Sequence, residues 1–372
     1  MSGSELAEAT ALPERDGKWH VGDLLARFLI EMNGLIVLAL VILVVVFQVL
    51  SPSGVFLSSL SLTSMAVSAA EILILAVGAT FVLTAGELDL SIGSVLVLSG
   101  VLATNTMTGI HNLGLGIAAG VLVGLAVGAA LGLANGVLTT RLRVPSFIVT
   151  LGMLGIALGV AQLATTGSLS NQVPPQFTSA IGTDELFGVP VMVLIAAFIA
   201  LVGWFVLSQT RFGLECASVG SNREAARRAG VRVDRVRISI FILMGFLAAV
   251  AGLLDAARFT SVSVASHQQD NLSAIAAVII GGTSLFGGRG SIGGSVIGTL
   301  IPVVLLSGLV IVGVEPFWQN ISIGAILIIA VAVDQFNRER LARGELSSRT
   351  RRRIGRERAR PRSGGVADRP YG

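Results

Sequence analysis

Residues 210–239 read TRFGLECASVGSNREAARRAGVRVDRVRIS, and the fold turns on this stretch. It carries seven arginines, two glutamates and an aspartate. On either side lie apolar runs of a length that crosses a bilayer, which takes roughly 20 residues as a helix. A basic interruption between two such runs marks the cytoplasmic face, where Lys and Arg are retained. The positions of the other basic residues then test that assignment.

They agree with it. Of 372 residues, 53% are hydrophobic and 13% charged, with a mean hydropathy of +0.83. Soluble domains carry about 25% charged residues. Ten apolar segments are expected near 29–50, 62–83, 91–108, 113–138, 146–165, 189–208, 236–256, 272–286, 293–313 and 318–334. With the N-terminus inside, the cytoplasmic connections hold Arg141, Arg143, the seven arginines of the opening stretch and Arg289. The ends add Arg15, Lys18 and Arg27, and twelve arginines beyond Asp334. The outward connections hold only Arg258, so 25 of the 26 basic residues fall on one side. One segment more or fewer would scatter them.

The pI near 10.4 is therefore a topology signal, and no nucleic-acid partner is expected. The chain reads as an all-α polytopic membrane protein of about ten transmembrane helices, both termini cytoplasmic. A cytoplasmic segment covers 1–28, the transmembrane domain 29–334 with a cytoplasmic loop at about 209–235, and an Arg-rich tail 335–372. The tail is expected to be disordered and to lie on anionic lipid. Residues 1–28 include Glu5, Glu8, Glu14, Asp16 and Asp23, too acidic for a secretory signal. The first apolar run therefore stays as a helix. Forty-five glycines suit closely approaching membrane helices. A single cysteine, Cys216, excludes intrachain disulfides, and His20, His111 and His267 are too scattered to suggest a metal cluster.

Two segments break the apolar pattern. TAGELDLSIGS (84–94) places two carboxylates between apolar flanks, and GGTSLFGGRGSIGGS (281–295) has seven glycines in fifteen residues. AVGAT precedes the first, IIGGT overlaps the second, and SIG follows in both, a weak internal repeat. Two readings stand: tight turns between helices, or the corresponding broken segments of a transport pathway. The outward connection 165–188 lacks Lys and Arg, and Pro174-Pro175 prevents a continuous helix through it. It is either a docking loop for an external partner or an ordinary surface loop.

Motifs for catalysis are missing from the sequence. The only lysine, Lys18, stands in DGKWH, so no phosphate-cradling G-x-x-x-x-G-K-[ST] is present. G-x-S-x-G and H-E-x-x-H are absent too, and no cofactor is expected in this chain. Charged groups within membrane segments are costly and mark function. Glu71 is the deepest of these, either a group on a transport pathway or one side of an interhelical hydrogen bond. Asp255 and Arg258, three residues apart, are expected to pair on one helix face. Asp89 is placed to cap the third helix, and Asn105 and Asn135 are polar positions in the third and fourth. These six are the candidate pathway residues. Only 5% of residues are aromatic, so a polar solute would be held weakly and selection would fall to another protein.

Within the opening stretch, SNREAARRAG is expected to form a short helix. Ser221 with Glu224 makes a capping box, Gly230 suits the C′ position, and Glu224 and Arg228 form an i,i+4 pair. Ala225, Ala226 and Ala229 give a small-residue face between Arg223, Arg227 and Arg228, and Asp234 is expected to cap the next helix. Two turns are too few to stand alone in water, so something must hold them.

TRFG (210–213), EAARRAGV (224–231), AGELDLSIGS (85–94), RLRVPSFIVTLGML (141–154), AIAAVIIGGTSLFGGRGSIGG (274–294) and PFWQ (316–319) resemble the ribose-type permeases of ABC importers. The resemblance runs from about residue 72 to 334. It implies the ABC importer permease fold, a homodimeric pore with a second permease copy, an extracytoplasmic solute-binding protein that supplies a sugar, and a separate cytoplasmic ATPase that binds ATP and Mg. It also implies that Arg211, Phe212, Gly213, Ser221, Asn222, Arg223, Glu224, Ala225, Ala226, Arg227, Arg228 and Gly230 form the element that couples to the ATPase. The chain departs from the family pattern at two places. No Leu-Pro follows Gly230, and Asn271-Leu272-Ser273 stands where many members have Glu-Leu-Asp. Nucleosides or branched-chain amino acids are the alternative cargo, and an ion-coupled carrier using Glu71 is the alternative mechanism.

Overall fold

The computed structural model describes residues 34–336, with Ser53, Thr166, Ser168, Ser266, Gln268, Pro316 and Val333 excepted. The expected N-terminal segment 1–28 and the tail beyond residue 336 lie outside the described residues. In chain order the helices are α1 (Gly34–Leu50), α2 (Ser59–Thr84), α3 (Ile92–Gly109), α4 (Leu113–Arg141), α5 (Ser146–Thr165), α6 (Val191–Gln209), α7 (Arg211–Ser221), α8 (Arg223–Arg228), α9 (Val233–Phe259), α10 (Asp270–Ile280), α11 (Ile292–Ile311) and α12 (Phe317–Phe336). A small hairpin, Glu185–Leu186 with Val189–Pro190, precedes α6. Among the described residues eight helices are long and apolar enough to cross a membrane: α2 to α6, α9, α11 and α12. The chain is a multi-pass, all-α membrane protein.

Each of the ten expected segments contains a helix, but the eighth is cut short. Apolar composition alone extends it over 272–286, whereas α10 stops at Ile280 after eleven residues. Eleven residues rise about 16 Å, half of a hydrocarbon core of about 30 Å. The helix is ended by Gly282, left-handed at φ 86, whose amide donates to Ile279 while that of Thr283 donates to Val278, a Schellman cap. Thr260, left-handed at φ 62, ends α9, and the following loop turns back into the bundle with Val262 and Val264 buried. The chain has therefore re-entered the bundle before α10 begins.

Glycine geometry sets the core. In α4, Gly116, Gly120, Gly124, Gly128, Gly132 and Gly136 recur every fourth residue and all are buried. That spacing keeps them near one face, cutting a groove into which α9 and α3 press. A Cβ on Gly128 would strike the Gly245 carbonyl, one on Gly132 the Phe241 carbonyl, and one on Gly120 the Met107 side chain. Membrane helices associate through such contact, since lipid tails offer no hydrophobic force between them. Ile74, Phe81, Leu96, Phe241 and Met244 are among the largest fully buried side chains of the bundle.

The two irregular segments lie against each other. The Gly288 amide donates to the Thr84 carbonyl at 2.8 Å, and the Thr80 and Ser295 hydroxyls share a hydrogen bond of 2.8 Å. Gly86 and Gly287, at φ 72 and 83, pack on one another and on Gly220 of α7. These left-handed turns suit glycine, which has no Cβ. The matching loops therefore meet at the end of the bundle where α7 and α8 attach.

Candidate functional site

The short helix of the opening stretch forms as α8, with its start one residue from the expected place. Asn222, not Ser221, is the N-cap: its Oδ1 accepts from the Ala225 amide at 2.9 Å. Ser221 instead ends α7, whose last turn the Asn222 amide closes onto the Ser218 carbonyl. At the other end, Gly230, at φ 88, donates to Arg227 and the Val231 amide donates to Ala226. That is the paired 5→2 and 6→1 closure of a Schellman cap. Glu224 accepts from Arg228 at 3.2 Å, as the i,i+4 spacing predicts. Asp234 does not cap α9; it lies in the first turn and meets Arg227 at 3.7 Å.

Of α8 only Ala226 is buried, so the expected alanine face splits, with Ala225 and Ala229 exposed. Arg223, Glu224, Arg227 and Arg228 also stand in the open, as does Arg211. Two of the other coupling candidates point inward. Phe212 packs against Phe81 of α2 with ring centroids 6.1 Å apart, and a Cβ on Gly213 would collide with the Leu207 carbonyl. These two seat α7 on the bundle and leave α8 as the presented element.

What ties α8 to the membrane helices is Glu87. Its carboxylate is 2% exposed, accepts from Arg223 of α8 at 2.8 Å, and also accepts from Arg237 of α9. Arg223 further donates to the Gly86 carbonyl at 3.0 Å. Nothing local in the sequence marks this role, because the partners of Glu87 lie 136 and 150 residues away. Removing one member of a buried ion pair costs about 3–5 kcal/mol, because the other is left unpaired. Glu87→Gln is therefore expected to lower the unfolding temperature in detergent and to open the arginines of α8 to trypsin. Wild-type melting and cleavage would show that the clamp holds nothing.

The six pathway candidates fall into separate clusters. Asp255 and Arg258 do not pair, because each finds a partner on another segment. Arg258 reaches α2, binding Glu71 at 3.4 Å and Ser68 at 2.9 Å. Asp255 meets His267 Nε2 at 3.2 Å, and His267 Nδ1 meets Asp270 at 2.7 Å. This Asp–His–Asp chain fastens the re-entrant loop to α9. Asn105 donates to the Ala164 carbonyl at 3.3 Å, stapling α3 to α5. Asp89 is not the helix cap. It lies two residues before the cap position, which Ser91 occupies, and accepts from the Ser91 amide and hydroxyl at 2.8 and 2.6 Å. Ser91 Oγ in turn accepts from Asn135 at 2.9 Å, so Asp89, Ser91 and Asn135 form one string.

None of the six lines a cavity of about 300 Å³ beside α3. It opens between the start of α3 (Leu90, Gly93, Ser94, Val97), the middle of α5 (Leu154, Leu158) and the re-entrant loop with α10 (Val264, His267, Asn271). Apart from His267 its lining is uncharged, and a search for charged groups inside membrane segments passes over such residues. Two sequence signals do fall here: Leu90, Gly93 and Ser94 belong to the irregular segment 84–94, and Asn271 is the departure from the family pattern.

The comparisons with known proteins bear on this geometry directly. The family model described as branched-chain amino acid transport system / permease component matches residues 61–331. The chain belongs to this permease family. Ribose import permease protein RbsC of Escherichia coli (strain K12) is 35% identical over 312 residues, 82% of this chain and 94% of the relative. Fructose import permease protein FrcC of Rhizobium meliloti is 37% identical over 322 residues, covering 81% and 85%. Xylose transport system permease protein XylH of Escherichia coli (strain K12) is 31% identical over 380 residues, covering 84% and 94%. No solved structure matches the chain. The resemblance read from the glycine-rich and EAARRAG motifs is borne out. This permease is a transport component embedded in a membrane, and the matched span takes in α8, Glu87 and the cavity.

Proposed function

We propose that the chain is the membrane-spanning subunit of an ATP-driven importer for a monosaccharide or related polyol. The relatives named for sugars support the cargo, and the observation that carries the mechanism is α8. It is a two-turn helix capped at both ends, exposed on nearly every side and held to the bundle through Arg223 and Glu87. Such an element is built to be gripped by a soluble partner. In this reading a cytoplasmic ATPase binds ATP and Mg and closes on α8, and a binding protein delivers the solute at the opposite end. A second permease copy completes the pore.

Motion of α8 passes through Arg223 to Glu87, which lies on the extended segment between α2 and α3. Three residues on, that segment reaches Leu90 and the cavity wall. Displacing α8 thus displaces one side of the cavity without unfolding a helix.

The test is reconstitution of the chain with its co-expressed ATPase and binding protein, followed by uptake of labelled D-ribose, D-fructose and D-xylose. Saturable uptake that requires ATP is the expected result. Uptake driven by a proton or sodium gradient without the ATPase, or non-saturating flux, would overturn the mechanism. The family description raises branched-chain amino acids as second cargo, and L-leucine uptake in place of sugar uptake would establish it.

A further inference from the structure

We propose that the cavity beside Asn271 is a transit site, inside the single chain, for a neutral solute whose hydroxyl groups donate to Asn271 Oδ1 and Ser94 Oγ. The proposal rests on the reading of the chain as an importer and assigns the chemistry by which this cavity receives cargo.

The amide of Asn271 is 7% exposed, and its orientation is fixed from one end. Nδ2 donates to the Leu90 carbonyl at 3.2 Å, and the flipped amide would set oxygen against oxygen. Oδ1 is then a buried acceptor without a partner among the described residues, on a side chain that lines the cavity. Buried acceptors are nearly always satisfied, so one left open at a cavity wall points to something that donates there. Ser94 spends its only hydrogen on the Ser91 carbonyl at 2.9 Å and offers the cavity lone pairs alone. His267 offers no donor either, because both its ring nitrogens face carboxylates, Asp255 at 3.2 Å and Asp270 at 2.7 Å.

Among the described residues, the polar side chains that line the cavity therefore offer it acceptors. A carboxylate or phosphate would find no unengaged cation and no hydrogen-bond donor among these side chains. It would also lie near two aspartates that share one imidazole. A polyol brings the donors that the acceptors lack, and its C–H faces suit Val97, Leu154, Leu158 and Val264. The volume of about 300 Å³ lies at the lower end of ligand cavities, roughly 300–1,000 Å³, which fits a small solute with some water.

The experiment uses a reporter on the apolar wall. In the reconstituted complex, Leu158→Cys is labelled with a small neutral thiol reagent; native Cys216 is buried and stays silent. The expected result is that millimolar D-ribose, D-fructose or D-xylose slows labelling while L-leucine at the same concentration does not. Adding Asn271→Leu should weaken the protection by roughly threefold to tenfold, the worth of one lost hydrogen bond. Labelling without solute should stay the same, as an intact cavity requires. Ser94→Ala, a smaller change, should weaken protection in the same direction and serves if Asn271→Leu does not fold. No protection by any of the three sugars, equal protection by leucine, or protection unchanged by both substitutions would overturn the proposal. If sugar uptake by the wild-type complex succeeds while protection fails, only this site is lost. If uptake itself fails, the importer reading is lost.

Discussion

Glu224→Arg and Gly230→Pro are each expected to leave the helical bundle intact and to stop transport. Glu224 and its partner Arg228 are mostly exposed, at 61% and 79%, and exposed pairs contribute about 0–1 kcal/mol. Losing this pair therefore has little effect on stability. Charge reversal instead alters the surface that α8 presents, bringing a further positive charge beside Arg223, Arg227 and Arg228. Gly230 acts on shape. Its φ of 88 is closed to proline, which is fixed near −65° and lacks the amide that donates to Arg227. The Schellman closure opens and the last turn of α8 frays, while nothing packs against Gly230 to carry the damage further. Uptake by the reconstituted complex should fall about 100-fold or more, equivalent to about 2.7 kcal/mol of barrier. Membrane insertion and melting in detergent should stay near wild type. Normal uptake by either correctly inserted variant would falsify the coupling role of α8.

The second large effect acts on the fold itself. Gly132→Leu in α4 places a branched side chain where the Phe241 backbone of α9 already lies. A flexible neighbour could move aside, but a carbonyl held in a helix can move only if α4 and α9 separate. Overpacking costs about 1–3 kcal/mol where side chains can adjust, so the loss here should exceed that range. The expected outcome is little or no monodisperse protein in detergent. Gly155→Leu in α5 is the control, since that glycine faces open space, and its yield and melting should match wild type. Equal behaviour of the two variants would refute the glycine seam as the main packing device.

The sequence was most legible where one physical rule acts on the whole chain. The cost of moving arginine across a bilayer orders the segments, so ten helical stretches could be placed without any knowledge of packing. It was less legible where competition between neighbours decided. Ser221 and Asn222 both suit a helix cap, and the extension of α7 through Ser221 left the role to Asn222. Residues 272–286 are mostly apolar, yet Gly282, left-handed at φ 86, closes α10 after Ile280 where composition alone would carry the helix on. Asp255 and Arg258 have the spacing to pair along one helix, but His267 and Glu71 on other segments capture them. Glu87 and Asn271 derive their meaning wholly from partners far along the chain, at Arg223, Arg237 and Leu90. No local pattern announces such pairs, although the mismatch of Asn271 with the family motif falls on the cavity wall.

Cys216 lies in α7 at the foot of the presented helix, fully buried, and burial pushes its thiol up to about 12. Oxidants and electrophiles attack the thiolate, which scarcely forms there at neutral pH. The chain's single thiol is thus withdrawn from chemistry beside the element proposed to couple to the ATPase. Oxidants that disable reactive-cysteine enzymes therefore find no reactive thiol in this chain.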